Sequence, residues 1–265
     1  MSKMRKLFAV MSVVAVLFIA GCAKDDSLPY QGDSAKLIYA TGQKFMLDGD
    51  YSDAVLAYRS LIAQYPFEYY AQKGMLDLSY SYHQKGDDPM ALAVSEQYLR
   101  LYPTAKDRYY AYYILGIVYS DNGRGFLQKY LPYDMDQHDP KNYKLAFKNF
   151  KQVVILAPDS SYAKDARRRM IYLKNIIAQY ELNIAQFYYD RSAFVASVNR
   201  AKIIVENYPD TPQVQQALVL MLKSYQRLNL TKLVNSTVAV IKKNYPDNAY
   251  IKSLESSQKR PTARL

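Results

Sequence analysis

The chain carries one cysteine, two histidines and no tryptophan in 265 residues. A single thiol, Cys22, allows no internal disulfide and no multi-cysteine metal site. His83 and His138 lie far apart in sequence, so neither completes the kind of ligand set that zinc needs, and each reads as solvated or packed. Asp134, Asp136 and Asp139 have something of the spacing of a calcium loop. The central glycine is missing, however, and the twelfth position holds Leu145 in place of a glutamate. What remains is a solvated acidic loop. Gly123-Arg124-Gly125 is followed by no Gly-Lys-Ser or Gly-Lys-Thr, so it is no phosphate loop, and no serine stands in a Gly-x-Ser-x-Gly elbow. Nothing here invites an enzyme, and no cofactor or metal is expected.

The longest uncharged apolar run is also short. It extends from Leu7 to Ala20 behind a basic start of Lys3, Arg5 and Lys6. A membrane-spanning helix needs about 20 apolar residues. The run has instead the proportions of a signal-peptide core ending in small residues, so residues 1–21 are expected to be a leader. Ile19-Ala20-Gly21-Cys22 resembles the lipobox of bacterial lipoproteins, in which the chain is cut before the cysteine and that cysteine is acylated. The resemblance makes Cys22 the expected lipidation site. Two or more acyl chains anchor stably where one binds only marginally. In such lipoproteins an aspartate after the cysteine usually retains the protein at the inner membrane. Ala23 stands there instead, which implies the outer membrane, periplasmic face. Residues 22–33 read as a lipid-anchored polar tether.

The formal net charge is +11, and it falls to +8 once Lys3, Arg5 and Lys6 are removed with the leader. A basic surface attracts nucleic acid, anionic lipid or acidic protein. The expected compartment excludes nucleic acid and leaves the other two. Tyrosine is abundant, at 28 residues. Its apolar ring and polar tip suit half-buried helix surfaces.

A repeat organises the rest. Tyr-Pro or a variant recurs at Tyr65-Pro66, Tyr102-Pro103, Ala157-Pro158, Tyr208-Pro209 and Tyr245-Pro246. Twenty-one residues before four of these prolines stand Phe45, Tyr82, Tyr188 and Tyr225, and three residues earlier Gly42, Ser79, Ala185 and Leu222. Gly116 and Tyr119 fill those places in the third repeat, which carries an insertion. Twelve residues before the prolines come Ala54, Ala91, Ala146, Ser197 and Val234; eight before, Tyr58, Ser95, Phe150, Ala201 and Val238. Small residues at fixed places let two helices approach, and a proline after each second helix stops it. Leu115-Gly116-Ile117-Val118-Tyr119 resembles the Leu-Gly-x-x-Tyr core of tetratricopeptide repeats. The expected fold is all-α, a tetratricopeptide-like solenoid of five helix pairs over residues 34–250. The repeats fall near 34–66, 67–103, 104–158, 159–209 and 210–246, with an insertion at 123–142 and a basic tail at 251–265, frayed from about residue 256. Met170, Leu173, Ile177 and Tyr180 continue a helical spacing, so the first helix of the fourth repeat is predicted to run about 29 residues, from near Ser160 to Tyr188.

Several stretches together resemble the BamD (ComL/YfiO) family of outer-membrane assembly factors. They are Tyr65-Pro66-Phe67 with Leu76-Asp77-Leu78; Asp136-Gln137-His138-Asp139-Pro140; and Tyr180-Glu181 through Val198-Asn199-Arg200 to Tyr208-Pro209-Asp210-Thr211. The resemblance implies a scaffold of the β-barrel assembly (BAM) complex. Its implied partners are the POTRA domains of the barrel protein BamA, other BAM lipoproteins and unfolded outer-membrane β-barrel proteins, with the outer membrane reached through the acyl chains. The other reading is a periplasmic repeat lipoprotein that organises cell-wall enzymes. On the resemblance, Arg200 with Asn199 is the expected partner contact. Barrel substrates end in an aromatic residue and a carboxylate, which aromatic walls and a cation can receive. Tyr39, Phe67, Tyr69, Tyr70 and Lys73 are the candidates for that groove, and packing between repeats is the other role open to each tyrosine.

Overall fold

The computed structural model describes residues 29–121 and 140–258. Cys22, His138, the acidic loop and nearly all of the insertion lie outside the described residues. Eleven helices are described: α1 Ala35–Asp48, α2 Tyr51–Gln64, α3 Tyr69–Lys85, α4 Asp88–Leu101, α5 Arg108–Asp121, α6 Lys141–Leu156, α7 Ser161–Asp190, α8 Phe194–Asn207, α9 Gln213–Arg227, α10 Thr231–Asn244 and α11 Ala249–Gln258. There is no strand among the described residues. The architecture is all-α, of the tetratricopeptide helix-pair type, with α1 to α10 forming five successive pairs. Packing divides the chain into two compact units, residues 1–74 and 75–265, with the boundary inside α3.

One turn is repeated within the pairs. The N–H of Asp50 donates to the Phe45 carbonyl (2.8 Å), that of Asp87 to Tyr82 (2.8 Å), Ala193 to Tyr188 (2.9 Å) and Leu230 to Tyr225 (3.0 Å). The recurring aromatic is thus the residue whose carbonyl closes the first helix. The turn needs a left-handed residue. Gly49 (φ 77°) and Gly86 (φ 86°) supply it in the first two repeats, and Ser192 and Asn229, both at φ 59°, in the last two. The second helices also end alike. Tyr65, Tyr102, Ala157, Tyr208 and Tyr245 all take φ between −126° and −143°, and each donates its N–H four residues back. The following proline disfavours a helical conformation at that residue, which is why the helix stops there.

The core lies where the paired helices touch. In the first unit, a Cβ built on Gly42 would come within 2.7 Å of the Tyr58 ring, and Tyr58 is fully buried. In the second unit the same contact is made by Ser79 and Ser95, whose hydroxyls are 2.6 Å apart, and by Gly116 against Phe150. Ala185 and Ala201 meet in the core of the fourth and fifth repeats, where Leu222 is buried and Val238 packs at the edge. Ala54, Ala91, Ala146 and Ser197 are fully buried. Val234 is only half-buried.

The long helix is α7, with 30 residues from Ser161 to Asp190. Ser160 caps it by accepting the Ala163 N–H at 3.0 Å. One correction falls at the C-terminus, which was expected to be a tail from residue 251. Residues 249–258 form α11 instead. Asn248 accepts the Ile251 N–H at 3.1 Å, Ile251 is buried, and Leu254 packs beside it on the core of the last repeats. Tyr250 packs on the same core and donates its hydroxyl to Gln226 at 2.9 Å, so one face of this short helix is held by three side chains.

Gly116 gives the sharpest stability test, because a Cβ there would lie 2.5 Å from the Phe150 ring. Gly116→Leu is expected to cost about 1–3 kcal/mol through overpacking, which is several degrees of melting temperature in a thermal scan. An unchanged melt would show that the glycine does not set the α5–α6 approach.

Candidate functional sites

Four of the five residues expected to line a peptide groove are brought together in the first unit. Tyr39 projects from α1, and Tyr69, Tyr70 and Lys73 from the first turns of α3. The Tyr39 and Tyr70 ring centroids are 5.5 Å apart, as are those of Tyr69 and Tyr70. The Lys73 ammonium lies 5.4 Å from the Tyr69 ring centroid. Gln43 donates to the Tyr39 hydroxyl at 3.0 Å. Tyr39 also meets the buried Tyr58 at 5.9 Å, so its inner face packs the helix pair. Tyr69, by contrast, is 62% exposed. The cluster therefore combines a packed base with an open aromatic edge and a cation. Phe67 is not part of it: it stands in the α2–α3 turn and is 98% exposed.

Arg200 on α8 is half-exposed, and its Nη1 donates to the Glu181 carboxylate at 3.0 Å. Glu181 on α7 is only 2% exposed, and its other oxygen faces the Lys144 Nζ of α6 at 3.4 Å. A buried carboxylate is costly unless paired. Here two cations from flanking helices provide that pairing, and their charges sit at the rim. Asn199 is exposed beside Arg200. Arg200 with Asn199 was the expected partner contact. The structure gives it an internal partner 19 residues earlier, at the start of the same Tyr180-Glu181 to Val198-Asn199-Arg200 stretch.

A second tyrosine cluster was not singled out from the sequence. Tyr109, Tyr110 and Tyr113 on α5 surround Tyr162 on α7, with ring centroids 5.9, 5.1 and 4.9 Å from it. The Tyr113 hydroxyl donates to Asp165 Oδ2 at 2.9 Å, and Arg169 Nε donates to the same oxygen at 2.5 Å. Burial, with the hydrogen bond to Asp165, pushes the Tyr113 hydroxyl up to about 12. Burial also raises Tyr110 far above the ordinary phenol range. For Asp165, burial acts upward, but the hydrogen bonds from Arg169 and Tyr113 outweigh it and hold the carboxyl below the usual range. The signal in the sequence was the run Arg108-Tyr109-Tyr110-Ala111-Tyr112-Tyr113, but its partners come from the next repeat. His83, the one described histidine, is packed, with Nδ1 2.7 Å from Asp88. A polar cleft lined by Gln186, Gln215, Gln216, Lys223 and Asn248 also went unforeseen.

The depressed Asp165 carboxyl links stability to pH. A carboxyl held low in the folded state stabilises above its unfolded value, near ~4, and the contribution is lost as pH falls through the lower folded value. Asp165→Asn should therefore melt below the parent at pH 7, and the gap should close as pH drops from about 4 toward 2. Parallel melting curves across that range would show that Asp165 is not a linked group.

Against known proteins, residues 31–241 match the family model described as "YfiO: Outer membrane lipoprotein". The chain is 32% identical over 232 residues to the outer membrane protein assembly factor BamD of Vibrio cholerae, spanning 88% of this chain and 96% of that protein. It is 30% identical over 241 residues to the protein of the same name from Haemophilus influenzae, spanning 91% and 92%. The Neisseria gonorrhoeae protein of that name is 31% identical over 231 residues, spanning 87% and 86%. Among solved structures, a putative kinesin light chain with nearly identical TPR-like repeats from Podosopora anserina covers 80% of this chain and 96% of its own, at 13% identity and a TM-score of 0.41.

Proposed function

We propose, since this chain belongs to the YfiO family of outer-membrane lipoproteins, that it is the lipid-anchored scaffold of an outer-membrane β-barrel assembly complex. The observation that carries this is the near full-length match to proteins named as outer membrane protein assembly factors, 88–91% of this chain in two of them. Acylation of Cys22 would hold the chain on the periplasmic face of the outer membrane. Its partners would be the POTRA domains of BamA, other lipoproteins of the complex and unfolded barrel substrates. The role is one of binding, with no catalytic step.

Two surfaces divide the work in this reading. The Tyr39–Tyr69–Tyr70–Lys73 cluster has the chemistry for the end of a barrel substrate. An aromatic side chain would lie on the exposed Tyr69 edge, and the lysine would meet the terminal carboxylate. Affinity would be modest, on the order of micromolar, because an unfolded peptide gives up much freedom on binding. Arg200, with Asn199, would take an acidic group of BamA. The partial exposure of the Arg200 side chain supports this.

Capture of the tagged protein from solubilised outer membranes tests the assignment: a BamA-type barrel protein is expected, and a cell-wall enzyme in its place would overturn it. The Arg200 contact needs a design that spares the fold, because charge reversal would set two carboxylates against each other beside Glu181. Glu181→Gln alone should leave binding to isolated POTRA domains near the parent value. The Glu181→Gln/Arg200→Gln pair, equally free of a stranded carboxylate, should weaken it by about tenfold, the scale of one charge-assisted hydrogen bond. Equal binding by the two variants would place the contact elsewhere. For the groove, Lys73→Gln in the full chain should remove the preference for a peptide with a free terminal carboxylate over its amidated copy. Retention of that preference would exclude Lys73.

A further inference from the structure

The first helix pair has two ends, and each presents a large apolar side chain that is almost wholly open to solvent. At the α1–α2 turn it is Leu47, 88% exposed; after α2 it is Phe67, 98% exposed. The segment before α1 distinguishes the two ends. The Pro29 carbonyl accepts from the Ser60 hydroxyl and from Gln64 Nε2, the latter at 3.2 Å. The Asp33 carbonyl accepts from the Tyr65 hydroxyl at 2.7 Å. The Asp33 N–H returns to the Tyr30 carbonyl at 3.2 Å, closing a turn that contains Tyr30 (φ 66°) and Gly32 (φ 89°). Residues 29–33 are thus strapped to the last turn of α2, and Phe67 follows Gln64 by three residues.

We propose that Phe67, carried on the Tyr65-Pro66-Phe67 turn, seats in the headgroup region of the lipid bilayer as a second point of membrane contact beside the acyl anchor. The proposal rests on the acylation of Cys22. Pro29 stands seven positions after Cys22, a reach of at most about 25 Å fully extended. The strap fixes the protein end of that tether at the Phe67 end of the helix pair. Leu47 lies a helix length away, about 20 Å for 14 residues. The tether therefore brings Phe67 to the membrane first, and Leu47 stays outward. An exposed phenyl ring between a proline and a glutamate gains nothing from water, and aromatic side chains partition to the lipid–water boundary. A single tether leaves a body free to swivel about its attachment. A second contact fixes the tilt of the first helix pair against the bilayer.

The absence of tryptophan makes the test direct. Phe67→Trp and Leu47→Trp each create a protein with one indole, at surface positions where the fold is indifferent to the change. The full acylated chain would be reconstituted into phosphatidylethanolamine–phosphatidylglycerol vesicles, with and without brominated acyl chains, and floated on a density gradient. The expected result is flotation of both variants, a blue-shifted emission for the indole at position 67, and quenching by brominated lipid about twofold or more above that at position 47, as interfacial insertion requires. Flotation with equal, weak quenching at the two positions would overturn the contact while leaving the anchor intact. An emission change at position 67 on adding a barrel-derived peptide, without lipid quenching, would also overturn it and assign Phe67 to substrate. Failure to float would overturn the acyl anchor, and the lipid contact with it.

Discussion

The close approach of two helices at one position per repeat governs this fold. The first helix offers a residue at that position, and the second offers its counterpart eight residues before the proline. Glycine faces tyrosine at Gly42–Tyr58 and phenylalanine at Gly116–Phe150, while Ser79 faces Ser95. Ala185 and Ala201 are both fully buried in the core of the last repeats. The identities vary widely, but each pairing named leaves room for close approach, by glycine against a ring or by two small side chains. The repeated turn and the repeated proline stop follow from it, because both hold the helices in the register that makes this contact.

This constraint explains what could be read from the sequence. Positions that touch across a helix pair leave periodic marks, so the five pairs and the buried small residues were visible from spacing alone. The extended helix was visible too, since Met170, Leu173, Ile177 and Tyr180 keep one face without a break. The docking of α11 was not. It depends on Tyr250, Ile251 and Leu254 finding a surface already built by earlier helices, and so short a cluster in a polar stretch carries no period.

The candidate sites were legible in proportion to how local they are. Tyr69, Tyr70 and Lys73 lie within five residues on one helix, so their grouping could be anticipated; Tyr39 joins them from the neighbouring helix α1. Phe67 looks like a member by type and proximity in sequence, but the turn carries it away. The tyrosines of α5 acquire their meaning from Tyr162, Asp165 and Arg169 on a helix that follows the insertion. Arg200 was singled out by resemblance, but its ion pair was not foreseen, because nothing in its own helix announces a buried carboxylate on α7.

That carboxylate has a property which bears on docking. Glu181 is held by two cations from two different helices, one through each oxygen. A salt bridge with a single cation is a closed account: drawing the cation toward a newcomer strands the anion. Glu181 keeps Lys144 in reserve. Were Arg200 the docking cation proposed above, its guanidinium would turn outward to an approaching acid while Lys144 kept the interior compensated, and it would return when that acid left. The arrangement would then serve as a latch with a spare catch, in which binding and release exchange one ion pair for another.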